Sequence, residues 1–185
     1  LDSVAAASSS FVASHGRLDL LVNNAGLMCT PRDVTAQGYE TQFGVNHLGP
    51  FALTALLLDK MRSTADSRVV STSSIAHKQG QIHFDDINAE QGYNAMARYA
   101  QSKLANLYFA YELQRRLAAS GAKIISVAAH PGIANTELSR YLPRALVLLT
   151  PLFQPLFNSA AQGAWPTLCA ATMPGVRGGD YYGPG

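Results

Sequence analysis

Leu18-Asp19-Leu20-Leu21-Val22-Asn23-Asn24-Ala25-Gly26 sets a short, mostly apolar run directly against a cluster of turn formers. A run of that length and composition reads as a buried strand, and the asparagines and glycine end it. On its N-terminal side, Leu1 to Ser14 carries Val4, Ala7 and Phe11 at helical spacing on an alanine-rich background, and His15-Gly16 supplies a stop. On its C-terminal side, Tyr39 to Met61 reads as a second helix. Two further strands are predicted, Arg68 to Thr72 stopping in serines and Ile124 to Ala128 stopping at His130-Pro131-Gly132. Between them Ala95 to Ala119 is a helix whose Ala97, Ala100, Leu104, Leu107, Tyr108 and Tyr111 fall on one face, which is expected to cover the sheet. Helix and strand in alternation imply an α/β fold with parallel pairing and right-handed crossovers. No internal repeat or charge run divides the chain, so residues 1–185 are expected to be one domain, with a loop-rich, glycine-rich tail after Gly175.

Composition narrows the class of function. The chain is 48% hydrophobic and 14% charged, and its 14 Lys and Arg against 12 Asp and Glu give a formal net charge of +2 with no basic block. That balance offers nucleic acid no footprint. Cys29 and Cys169 stand far apart with no Cys/His cluster around either, which argues against a zinc site or disulfide framework and for reduced thiols in a cytoplasmic protein. Ala145 to Phe157 is the longest apolar run, and Thr150, Pro151, Gln154 and Pro155 interrupt it. It is too short for the roughly 18 residues of a membrane span. The chain starts at Leu1, with Met28 its first methionine and no charged-then-apolar leader, which reads as an internal piece of a longer protein.

In an open parallel sheet, ligands bind beyond the carboxyl ends of the strands. Three such ends are expected to converge here: Asn23-Asn24-Ala25-Gly26, Ser73-Ser74, and His130-Pro131-Gly132-Ile133-Ala134-Asn135-Thr136. Each taken singly is also ordinary turn chemistry. Tyr99-Ala100-Gln101-Ser102-Lys103 adds a tyrosine and a lysine at i and i+4, about 6 Å apart along a helix on one face. On a helical wheel Asn106 joins them, and this polar stripe is expected to border the core without entering it. A tyrosine packed over a lysine stem on a solvated edge is the bland reading of that pair.

Taken together, in order and spacing, these stretches resemble the short-chain dehydrogenase/reductase family over nearly the whole chain. Asn23-Asn24-Ala25-Gly26 matches its N-N-A-G, Val45-Asn46-His47-Leu48-Gly49 its active-site asparagine segment, and Tyr99 with Lys103 its Y-x-x-x-K, with Ser74 as the serine. Ser73-Ser74-Ile75-Ala76-His77, Phe84-Asp85-Asp86-Ile87-Asn88, Tyr99 to Asn106 with its Gln-Ser-Lys-Leu-Ala-Asn, and His130-Pro131-Gly132 look like the retinol-dehydrogenase-like subgroup. The serine-to-tyrosine gap of 25 residues (99 − 74) agrees with the long loop of that subgroup.

The resemblance implies a Rossmann-like, doubly wound parallel sheet and transfer of a hydride between NAD or NADP, with NADP preferred, and a carbonyl or alcohol. Free tyrosine, with a pKa of about 10, is too weak an acid for that reaction; holding the phenol near neutrality corresponds to about 4 kcal/mol of differential stabilisation, the role expected of the Lys103 ammonium. By the same resemblance Ser74 holds the substrate oxygen, Asn46 anchors a water that relays protons, and Lys103 also meets the nicotinamide ribose. Asn23, Ala25 and Gly26 would border the adenosine half of the cofactor. Tyr99, Lys103, Pro131, Gly132, Ile133 and Thr136 would surround the nicotinamide, with Thr136 reaching the diphosphate, capping a helix, or both.

The family's T-G-x-x-x-G-x-G loop has no counterpart in this chain, since the glycine-dense stretch Gly178 to Gly185 precedes no helix. The N-terminal cofactor-loop part is therefore expected to be missing, and with it the residue that selects NAD or NADP. Such a chain is expected to bind dinucleotide poorly by itself and to expose apolar sheet edge. The substrate is expected to be a small apolar carbonyl or alcohol, with Ala145 to Phe157 as its cover; a homo-oligomer is compatible with the fold. Two alternatives stay open: an inactive dinucleotide-binding scaffold or regulator, and an epimerase or dehydratase, which also uses Y-x-x-x-K.

Overall fold

The computed structural model describes residues 1–132 and 159–184. Along the chain run α1 (Asp2–Ser14), β1 (Leu20–Asn23), a single turn α2 (Thr41–Phe43), a π-helical turn Gly44–Leu48, α3 (Gly49–Arg62) and β2 (Arg68–Thr72). Two 3₁₀ turns follow, Ile75–Gln79 and Phe84–Asp86, then α4 (Ala95–Ala119), β3 (Ile125–Ala129), α5 (Ala160–Thr172) and β4 (Tyr181–Tyr182). The strands form one sheet in the order β1-β2-β3-β4, every pair parallel, with Leu21 opposite Val69, Val69 opposite Ser126 and Ala128 opposite Tyr181. This is the α/β, Rossmann-like arrangement that the alternation of helix and strand implies.

Alternation along each strand divides the core into two layers. On one face Leu21 and Val69 pack with Leu57 and Met61 of α3 and Leu117 of α4; on the other Val70, Val127 and Ala129 meet Ala170 and Ala171 of α5. Each fully buried aliphatic side chain of this kind contributes about 1.5–3 kcal/mol relative to exposure. Leu20 and Val22 of β1 alternate with Leu21 and are 41% and 40% exposed among the described residues. Among the described residues no helix is long and apolar enough to cross a membrane.

Three expectations need correction. β1 and β3 lie one or two residues later than the apolar runs suggest, so Asn23 and Ala129 are strand residues. Tyr39 to Met61 is not one helix: the carboxylate of Glu40 accepts from the amides of Gln42 and Phe43 to start α2, and the Gly49 amide then donates to the Gly44 carbonyl in an i to i+5 turn before α3 begins. The tail after Gly175 is loop-rich as expected, with the two-residue strand β4 in it, and α5 lies just before it. The sheet-covering face of α4 is also different. Tyr108 and Tyr111 are 57% and 42% exposed and Ala97 lies outside, while Gln101, Ser102, Lys103 and Asn106 are buried. Each of those polar side chains finds at least one partner inside the fold, although Gln101 Nε2 has none among the described residues, and these hydrogen bonds outweigh the apolar periodicity.

The segment before α4 is fastened by a half-buried ion pair. Arg98 lies across Asp86 at 2.6 Å and also donates to the Asp86 carbonyl. Burial would raise the Asp86 carboxyl, but the amides of Glu90 and Gln91 and the Arg98 guanidinium overcome it and hold the group below its ordinary value. A carboxylate lowered in the folded state stabilises above its unfolded pKa, and that stability is lost as pH falls through the folded one. Asp86→Asn is therefore expected to flatten the acid limb of the stability–pH curve, read by denaturant titration at a series of pH values; an unchanged limb would remove Asp86 from the account.

Candidate active site

The site is built where β1, β2 and β3 end. β2 runs out at Thr72, and the Ser73 amide prolongs the pairing by donating to the Ala129 carbonyl. Successive residues of an extended segment point opposite ways. Ser73, buried, gives its hydroxyl proton to the Lys103 carbonyl at 2.8 Å. Ser74, at φ −156° and ψ 156°, caps the following 3₁₀ turn by accepting from the Ala76 amide, and its hydroxyl lies on the Tyr99 side, where it favours the phenolate.

Tyr99 and Lys103 stand one turn apart on α4, which Asn94 caps through its side chain. Both are 5% exposed and Asn106 is 4% exposed, so the polar stripe enters the core rather than bordering it. The Lys103 ammonium lies 5.7 Å from the centroid of the Tyr99 ring and donates to the Thr72 carbonyl at 3.3 Å. Burial brings the Lys103 pKa down from its usual alkaline value to about 8, which puts loss and recovery of its proton within reach near neutrality. The Tyr99 phenol behaves contrary to expectation. Burial pushes it above its ordinary value, with the Ser74 hydroxyl pulling it part of the way back. Lys103 faces the ring, and desolvation prevails over the stabilisation foreseen for the phenolate.

Asn46 sits fully buried in the π-helical turn. Its side chain clasps the residue that follows N-N-A-G from both sides, Oδ1 accepting from the Leu27 amide at 2.7 Å and Nδ2 donating to the Leu27 carbonyl at 2.9 Å. Nδ2 also donates to the Ser102 hydroxyl. The Asn46 carbonyl accepts from Asn106 Nδ2, which donates to the Thr72 carbonyl as well. With both bonds made by its amide group, Asn106 leaves Oδ1 to accept from His47 Nδ1, which fixes that proton on Nδ1; burial keeps the imidazole below its ordinary pKa. Ser102, Asn106 and Thr72 were not foreseen as parts of the site. Asn106 alone gave a signal, through its place on the Tyr99 and Lys103 stripe.

Gly26 lies between the asparagine and the lysine. A Cβ there would come within 3.1 Å of Asn46 Oδ1 and 3.4 Å of Lys103 Nζ, so the bare backbone is what lets these groups converge. Gly26→Ala is expected to lower turnover about tenfold by displacing the ammonium a few tenths of an ångström. A thermal melt run in parallel separates this from unfolding, and unchanged turnover would mean that the neighbours give way freely.

Asn23, Asn24 and Ala25 line a cavity of about 340 Å³ that Val22, Gly44 and Val45 help to close. Asn23 Nδ2 donates to Thr54, but its buried Oδ1 has no partner among the described residues. Gly132 adopts φ +70° and donates its amide to His130 Nδ1 at 3.1 Å. Ile133, Thr136 and the expected cover Ala145 to Phe157 lie outside the described residues. The residues present fit a dinucleotide. An ammonium has three N–H donors, and among the described residues Lys103 directs a hydrogen bond only to Thr72. Gly26 adds an open backbone edge beside it, and Asn23 an unsatisfied acceptor.

The family model for short chain dehydrogenase matches residues 1–146. Retinol dehydrogenase 14 from Homo sapiens is 44% identical over 99% of this chain and 55% of its own length; retinol dehydrogenase 12 from Mus musculus is 45% identical over 97% and 57%. The chain thus spans little more than half the length of these relatives. An uncharacterized protein from Mycobacterium Paratuberculosis superposes with a TM-score of 0.77 at 40% identity, covering 97% of this chain and 59% of its own. A blue fluorescent protein from a metagenomic library, solved in complex with NADPH, gives a TM-score of 0.69 at 25% identity over 97% and 68% of the two chains. With four-fifths of its residues under that family model and its N-N-A-G, serine and Y-x-x-x-K segments folded around one crevice, this chain belongs to the short-chain dehydrogenase family, in its retinol-dehydrogenase-like branch.

Proposed function

We propose that the whole protein interconverts an apolar carbonyl compound and its alcohol with a nicotinamide dinucleotide, NADP in preference to NAD. The observation that carries this reading is the meeting of Ser74, Tyr99 and Lys103 beside Gly26. Further support comes from the similarity to retinol dehydrogenases, whose named substrate is an apolar alcohol. When bound, the reduced dinucleotide supplies a hydride to the carbonyl carbon. Tyr99, kept protonated by its burial, gives its phenolic proton to the carbonyl oxygen, while the Ser74 hydroxyl donates a hydrogen bond to the same oxygen. Lys103 then returns a proton to Tyr99 and offers its remaining N–H groups to the ribose. Asn46 positions this ammonium by holding the Leu27 main chain against Gly26. Asn23, Ala25 and Gly26 would border the adenosine half of the dinucleotide and Pro131 and Gly132 its nicotinamide; Ile133 and Thr136 lie outside the described residues.

The test is cofactor-dependent absorbance change with the purified full-length protein over a series of aldehydes of increasing chain length, with NADPH and NADH compared. Rates that rise with alkyl length and are higher with NADPH are expected, each buried methylene adding about 0.8 kcal/mol to binding. No signal with any carbonyl, accompanied by tight dinucleotide binding, would leave the inactive scaffold as the better reading.

A further inference from the structure

The smallest strand makes the least expected contact with this site. β4 is the dipeptide Tyr181–Tyr182, held because Ala128 donates to the Asp180 carbonyl and His130 to the Tyr182 carbonyl. Its approach is fitted closely: Gly183 passes His130 where a Cβ would fall 2.2 Å from Nε2, and Gly178 passes the Gln114 amide at the same distance. Tyr182 points toward the α5 layer and Tyr181 toward Leu107 and Ala110 of α4. The Tyr181 hydroxyl thereby reaches the place where β2 ends.

The proton order of that place follows from its acceptors. His77 Nδ1 lies 2.6 Å from the Ser74 carbonyl, which can only accept, so Nδ1 carries the proton. The Tyr181 hydroxyl, 3.3 Å from the same nitrogen, shares that N–H as an acceptor. The Ser73 hydroxyl lies close by and favours the Tyr181 phenolate. Ser73 in turn donates to the Lys103 carbonyl. Tyr181 also packs its ring 5.2 Å from that of His130, the side chain that accepts the Gly132 amide.

We propose that Tyr181 is a positioning residue of the reaction site: its hydroxyl braces His77, which holds the Ser74 carbonyl, and its ring supports His130, and together they hold Ser74 and the Gly132 turn in register with Tyr99 and Lys103. No group of Tyr181 touches the reacting atoms in this account. It acts by fixing the backbone on both sides of Ser74. The proposal rests on the reaction read above, and its test therefore includes a measurement that needs no turnover.

Tyr181→Phe keeps the ring and removes the hydroxyl. In the full-length protein it is expected to lower kcat five- to tenfold, the scale of one positioned hydrogen bond, while KM for the dinucleotide stays put. The Tyr99 phenol is titrated in parallel, as the ultraviolet difference between Tyr181→Phe with and without Tyr99→Phe. Its midpoint is expected to rise, because a Ser74 hydroxyl that drifts away no longer favours the phenolate. A risen midpoint in a protein with no carbonyl turnover would support the positioning role and count against the reaction. A folded Tyr181→Phe protein with the parental Tyr99 midpoint overturns the proposal, whatever its kcat. If Tyr181→Phe fails to fold, Tyr181→His, which keeps a ring and a polar atom, carries the same measurement with the same outcomes.

Discussion

Tyr99→Phe is expected to reduce kcat by about 10³-fold, within the range for loss of a positioned general acid, without weakening dinucleotide binding. The expectation follows from burial. At 5% exposure, no bulk water stands ready to replace the phenol as donor to the substrate oxygen. The phenol is also raised above its ordinary pKa, so it stays protonated at neutral pH and, as a weaker acid than free tyrosine, gives its proton only to the strongly basic oxygen that hydride transfer creates. Lys103 adds a pH signature. Its ammonium, with a pKa of about 8, is present below that value and lost above it. Carbonyl reduction is therefore expected to slow as pH rises through that region and alcohol oxidation to quicken. Single-turnover absorbance in both directions, from neutral to alkaline pH, checks the two statements together. A Tyr99→Phe protein that retains a tenth of parental kcat would assign the acid elsewhere.

Ser74→Ala is expected to cost about 10²-fold or more in kcat, the scale of one donor to a developing alkoxide. Ser73→Ala is expected to stay within about tenfold of the parent and to lose stability instead, on the order of 1–3 kcal/mol for the partner left unpaired in the core. Two adjacent serines can differ this much because of strand geometry. Ser73 is 1% exposed and committed to the Lys103 carbonyl, whereas Ser74 reaches the phenol from the half-buried side. Kinetics and denaturant melts on the two purified variants decide it, and a folded Ser74→Ala enzyme of near-parental kcat would sink the assignment.

The strands were legible because each is an apolar run that stops in residues unable to continue it, Asn23-Asn24, Ser73-Ser74 and His130-Pro131-Gly132. The motif positions were legible for the same reason: an i, i+4 pair must share a helical face. What the apolar pattern misjudged was the depth of that face. Gln101 accepts from the His83 amide, Ser102 receives from Asn46, and Asn106 reaches two carbonyls of other segments, all partners distant in sequence. Burial of such residues is decided by tertiary hydrogen bonds that no local window contains. α5 was hidden by Pro166 in its interior, although Ser159 and Gln162 spell the reciprocal cap that begins it. β4 was hidden by its length, since two tyrosines among glycines carry no period.

The π-helical turn Gly44–Leu48 gives the chain an exact residue count at one spot. Such a turn holds one residue more than an α-helix of the same span, and one residue corresponds to about 100° of rotation. Deleting any single residue between Gly44 and Leu48 would let α2 and α3 fuse into an ordinary helix, a change favourable to the backbone. It would also swing Asn46 by about a quarter of a turn from Leu27. A helix in this place can therefore lengthen or shorten its far end freely in evolution, yet it cannot absorb a one-residue gap here without giving up its grip on the N-N-A-G loop.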